Sequence, residues 1–189
     1  MQYLCRQNHK KEKMTPEEYV QLKAFARIDG ALLFLLWIGS FALYIKGMEN
    51  PILGTLSLIL LLVSPFYAAK RLKKFRDHAR DGVITFARGY AYIILAFFYS
   101  GLLFALAQYA YFTYLDHGFL LAKFTEIANT PESIQMGLRD MMTQGLNEMR
   151  AMRPIDFSLN VLTLIIMAGF FLGLPIAAMI QRKNVDKVK

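Results

Sequence analysis

The sequence predicts an all-α fold: an integral membrane four-helix bundle with an additional amphipathic helix in the long outer loop between spans 3 and 4. Three observations carry this prediction. Four stretches, Gly30 to Ile45, Pro51 to Ala69, Gly89 to Leu115 and Phe157 to Ile180, contain no charged side chain. Of the 22 Lys and Arg residues, 17 fall on one side of those alternating stretches. At 189 residues and 56% hydrophobic, the chain has room for one helical bundle and none for a second globular domain.

The first span is expected over about 25–46. A bilayer core of about 30 Å needs roughly 20 apolar helical residues, and the uncharged core here reaches that length only with Phe25 and Ala26 before it. Arg27, Asp29 and Lys46 then reach toward headgroups by snorkelling. Ahead of it, Thr15-Pro16-Glu17-Glu18 reads as a helix start: a capping hydroxyl, a proline in the first turn and acids at the positive dipole end. Tyr19, Leu22, Phe25 and Ala26 recur at helical spacing, so this lead-in lies along the interface before the chain enters the bilayer. Residues 1–24 form a cytoplasmic tail. They lack the apolar run of a cleavable signal peptide, so the first span acts as an uncleaved insertion signal. Cys5 is the only cysteine, which excludes an internal disulfide and a cysteine-based zinc cluster.

The second span is expected over about 51–69, with a kink at Ser64-Pro65. Lys70, Arg71, Lys73, Lys74, Arg76 and Arg80 follow it directly, a membrane-surface basic cluster suited to anionic headgroups. Under the positive-inside rule the charge asymmetry puts this cluster and both termini in the cytoplasm. The net charge of +8 therefore flanks spans, and nucleic acid is not an expected partner.

A turn at Asp81-Gly82 leads into the third span, about 86–115, some 40 Å if helical throughout and so long enough to tilt or project. Tyr109, Tyr111 and Tyr114 fit an aromatic belt at its outer end, and Tyr90, Tyr92 and either Trp37 or Tyr44 fit belts at other levels. Asp116-His117 reads as a solvated turn. In the outer connection, Thr130-Pro131-Glu132 starts a helix and Arg153-Pro154 stops it. Between them, over about 131–152, Ile134, Leu138, Met141, Met142, Leu146 and Met149 share one stripe with Met152, the face of an amphipathic helix. Such a Met-rich face is expected first to lie on the bilayer surface or to pack on the outer ends of the spans, and second to form a groove for a partner. The fourth span, about 157–180, carries Gly169, Gly173 and Ala177 at G-x-x-x-G spacing, a helix-packing seam for another helix of the chain or for a second copy in a homo-oligomer. Pro175 is expected to kink it, and 181–189 form a cytoplasmic tail.

Chemistry is scarcely written in this chain. No charge falls at mid-span, where an ion path or proton relay would need one. His9, His78 and His117 are scattered, and neither H-E-x-x-H nor G-x-S-x-G occurs, so no catalytic residue, metal or cofactor is expected. Asp29 is placed near the cytoplasmic start of its span, within reach of Arg27 or of the basic connection as an interfacial pair.

The chain resembles a family of four-span inner-membrane proteins of unknown function widespread in the Bacteroidota. The resemblance runs from about Phe25 onward. It rests on Ser64-Pro65-Phe66-Tyr67-Ala68-Ala69-Lys70-Arg71, on Gly82-Val83-Ile84-Thr85-Phe86, on Tyr111-Phe112-Thr113-Tyr114-Leu115-Asp116, and on the outer helix before the last span. His117 stands where similar proteins often carry proline. The resemblance implies no catalytic residues. It implies as partner a membrane-associated polyprenyl-phosphate glycosyltransferase, beside membrane lipids. The leading functional expectation is a non-enzymatic accessory or scaffold subunit of an envelope assembly. The alternative is a lipid or small-solute carrier with an apolar intramembrane cavity. A third reading is a membrane enzyme that holds a phosphate on its basic connection and uses Asp77, His78 or Asp81 as acid or base.

Overall fold

The computed structural model describes residues 14–182; Cys5, His9 and the ends of both tails lie outside them. The described chain folds into seven helices: α1 (Pro16–Gly47), α2 (Pro51–Ala79), α3 (Phe86–Tyr114), α4 (Phe119–Ala128), α5 (Pro131–Gln135), α6 (Arg139–Ala151) and α7 (Pro154–Ile180). Helices α1, α2, α3 and α7 are each long and apolar enough to cross a membrane. They run up, down, up and down, so one end of the bundle carries the start of α1 and the end of α7. We call this the termini end, and the opposite one the loop end.

Each boundary has a local cause. Thr15 accepts from Glu18 N–H while Glu18 accepts from Thr15 N–H, a reciprocal cap that opens α1. Asn50 accepts from Ile52 N–H and opens α2, with Pro51 in the first turn. Helix α2 continues unbroken through Pro65. The proline leaves the Leu61 carbonyl without its helical donor, and the Ser64 hydroxyl donates to that carbonyl at 2.7 Å. Asp81 and Gly82 both take left-handed backbone angles, φ 49° and 77°, and turn the chain toward α3. Just beyond, Ile84 exchanges two backbone hydrogen bonds with Arg182, tying this turn to the chain leaving α7.

The helices pack chiefly as α2 on α1, α1 on α3, and α3 on α7. On the first seam the Ser40 and Ser57 hydroxyls each donate to the other residue's carbonyl, at 2.9 and 2.8 Å, inside the buried contact. Hydrogen bonds between apolar spans contribute about 0.6 kcal/mol on average and about 1.7 at most. Ser40→Ala is therefore expected to lower stability by that range in detergent micelles. The same loss for Ser40→Ala and for the Ser40→Ala/Ser57→Ala pair would show that one bond system carries both.

Aromatic side chains fill the α1–α3 seam. Trp37 meets Phe97 and Phe104 edge-on at 5.5 and 6.0 Å, and Phe41 meets Phe104 and Tyr111 at 5.8 and 5.2 Å. Trp37 is buried, and so is Tyr92 near the termini end. The belt role expected for these two is thus corrected: both are core residues. Tyr114, 68% exposed, remains at the rim. On the third seam, Gly169 lies against Phe97, Gly173 against Tyr90 and Ile93, and Ala177 against Gly89. The G-x-x-x-G face is thereby covered by α3 of the same chain.

The loop end departs from the single outer helix expected over 131–152. Gly137 takes φ 66° and breaks that stretch into α5 and α6, and a further helix, α4, precedes them. Leu138 consequently sits in the joint and not within a continuous stripe. Asp116 starts α4, accepting from Gly118 N–H and Leu120 N–H at 3.1 Å each. It is buried, in place of the solvated turn expected there.

Candidate functional site

The densest polar chemistry sits at the termini end. Asp29, only 4% exposed, points from α1 between α2 and α3. Its Oδ1 accepts from Arg71 through Nε at 2.6 Å and through Nη2, and its Oδ2 accepts from the Tyr92 hydroxyl. Phe75 stacks on the Tyr92 ring at 4.9 Å, and Phe25 tilts against Phe75 at 5.2 Å. These rings roof the carboxylate with apolar surface, so its charge is balanced within the protein.

A second ionic group lies beside the first. Glu18 of α1 accepts from Arg80 and from Arg88, at 2.8 Å each. Arg76 donates to the last carbonyl of α7, Ile180, at 3.0 Å and pairs with Asp77 at 2.7 Å. All four long helices are therefore joined by guanidinium groups, whose planar forks suit such multiple contacts.

This arrangement divides the six-residue basic cluster. Arg71, Arg76 and Arg80 turn inward onto Asp29, Ile180 and Glu18. Lys70, Lys73 and Lys74 are exposed and, with Tyr67, Arg71, Asp77 and His78, line an open groove of about 570 Å³ along α2. The surface cation expected of all six residues thus falls to the three lysines. Of the two partners expected for Asp29, Arg27 or the basic connection, the second holds, through Arg71. The carboxylate is buried within the protein, where an ordinary surface pair is expected. An aspartate beside an arginine-bearing run on the next helix is the signal that points to it.

Among the described residues, neither Asp77 nor His78 hydrogen-bonds to Asp81. Asp77 is held by Arg76, which keeps its carboxyl below the ordinary range, and His78 Nδ1 lies 3.1 Å from the Lys74 carbonyl. Among the described residues, no three His, Cys, Asp or Glu side chains converge as metal ligands.

The loop end carries the other functional surface. Of the six side chains expected on its apolar face, Leu146 alone is buried; Met142 and Met149 are half-buried, and Ile134, Leu138 and Met141 are exposed. Lys123 of α4 donates to Glu126 at 3.0 Å, which raises its ammonium pKa, and Glu49 in the α1–α2 turn adds to the rise. Beside this layer, residues of α3, α4, α6 and α7 line a half-open pocket of about 220 Å³.

Fold and ionic clamp together define an all-α helical bundle of the membrane-spanning type. Within that class, the chain belongs to the family described as "Protein of unknown function (DUF4199)", whose model matches residues 24–182. No curated protein and no solved structure matches it.

Proposed function

We propose that this protein is a non-enzymatic accessory or scaffold subunit of an envelope assembly in a bacterial inner membrane, with both termini in the cytoplasm and α4–α6 on the outer side. One observation carries the reading: Ile134, Met136, Leu138 and Met141, close in sequence on α5, its joint with α6 and the start of α6, are all exposed, with Met136 at 71% and Met141 at 66%. Exposed apolar side chains gathered in one short segment suit an interaction site. Flexible thioethers let such a surface adapt to a partner. The exposed lysines at the termini end support the orientation.

Purification in lipid nanodiscs, followed by mass spectrometry of the proteins and lipids that copurify in stoichiometric amount, tests this. The polyprenyl-phosphate glycosyltransferase implied by the family resemblance is the first partner to look for. Leu138→Glu with Met141→Glu is expected to release the partner while leaving the bundle folded, since neither side chain is buried. A partner retained by the folded double variant would remove the α5–α6 layer as its contact.

A further inference from the structure

The loop-end pocket has an occupant chemistry of its own. Its walls come from α3 (Phe112), α4 (Leu120, Leu121), the α6–α7 region (Met149, Met152) and α7 (Phe157). Phe112 and Phe157 meet edge-on at 4.7 Å and form one side. A volume of about 220 Å³ exceeds the roughly 150 Å³ cavity that takes benzene. It falls short of the roughly 300 Å³ at which drug-sized sites begin. The pocket is about as open as the groove on α2, so one end of a hydrocarbon chain can enter it from outside.

Three charged residues line the pocket, the carboxylate of Asp116 and the guanidinium groups of Arg150 and Arg153. Asp116 is held by two backbone N–H groups at the positive end of α4. Arg153 forms a two-pronged pair with Asp156, at 2.8 and 3.0 Å. Arg150 makes only a 3.4 Å contact with the Thr125 hydroxyl and, among the described residues, pairs with no carboxylate. The pocket also lies where α3 ends and α7 begins.

We propose that this pocket binds a single-chain anionic amphiphile, its hydrocarbon end between Phe112, Leu121 and Phe157 and its anionic head on Arg150. The inference goes beyond the docking reading and does not rest on it, because Ile134, Met136, Leu138 and Met141 do not line the pocket.

The test uses the full chain in a sterol-based detergent, which offers no competing alkyl chain, with dodecyl phosphate and dodecanol as probes. Dodecyl phosphate is expected to bind saturably and about tenfold more tightly than dodecanol, the difference that a charge-assisted hydrogen bond supports. Arg150→Gln should erase that preference and leave dodecanol binding unchanged. Leu121→Trp and, independently, Met149→Trp fill the space from two elements; each is expected to abolish binding of both probes at unchanged helical content. Displacement of dodecyl phosphate by phosphatidylglycerol would assign the site to one chain of a membrane lipid, and resistance to displacement to a free amphiphile. Equal affinity for the two probes, or binding undiminished in both tryptophan variants, would overturn the proposal.

Discussion

Arg71→Met is expected to destabilise the bundle by about 3–5 kcal/mol, because it removes the one cation facing a buried carboxylate and leaves that charge uncompensated. Asp29 retains only the Tyr92 hydroxyl in this variant, under a roof of Phe75 and Phe25. The double variant Asp29→Leu/Arg71→Met should recover most of the loss, since apolar side chains of similar volume replace a buried pair at little cost. Tyr92→Phe keeps the ring stack on Phe75 and removes one bond to a charged acceptor, a loss of about 1.5–3 kcal/mol. Thermal or denaturant unfolding in micelles reads all three. A double variant no more stable than Arg71→Met would show that the pair does more than balance its own charge.

The second large effect is expected at Gly30. A Cβ there would stand 2.8 Å from the Ala96 carbonyl oxygen and 3.2 Å from the Ser100 nitrogen. Both are backbone atoms of α3, so no rotamer change can make room, and α1 must move away from the helix on which it packs most of its aromatic surface. Overpacking of this kind costs about 1–3 kcal/mol, so Gly30→Ala should lower stability by that amount. Gly39 lies in the same helix with nothing within 4 Å of its Cβ position. There, alanine is expected to gain about 0.5–1 kcal/mol from helix propensity alone. The opposite signs on one helix distinguish close packing from propensity.

These residues also show which features are legible in the sequence. Uncharged runs of bilayer length mark helices irrespective of their packing partners, so α1, α2, α3 and α7 are readable from length and charge alone. The spacing of Gly169, Gly173 and Ala177 identifies a face, and α3 is the helix that covers it. Gly30 escapes notice because a lone glycine in an apolar run gives no periodicity; its role depends on where α3 happens to cross. The basic cluster reads as one surface because charge counting does not separate arginine from lysine. Arg71 and Arg80 are drawn inward by acids on α1, and Arg76 by the last carbonyl of α7.

At the loop end the Met-rich stripe from Ile134 to Met152 keeps helical period across Met136–Leu138, so periodicity hides the break. Gly137 is the signal available, since a left-handed angle within such a run favours glycine. Helix α4 is hidden for another reason. Its opening, Asp116-His117-Gly118, reads as a turn alone, although an aspartate two residues before a glycine can also cap a helix. The pocket beside this layer needs four elements at once, and no local pattern announces it.

The proposed role requires α4–α6 and the lysine-bearing end of α2 to lie on opposite faces of one membrane. Because Cys5 is the sole native cysteine, a Cys5→Ser background permits single reporters at Met141 and Lys74, both exposed. Labelling Met141→Cys and Lys74→Cys with a membrane-impermeant maleimide, in spheroplasts before and after permeabilisation, reads their sides. The reporter at 141 is expected to react in intact spheroplasts and the one at 74 only after permeabilisation. Equal reactivity of both reporters in intact spheroplasts, or the reverse order, would contradict this placement and with it the outer docking layer.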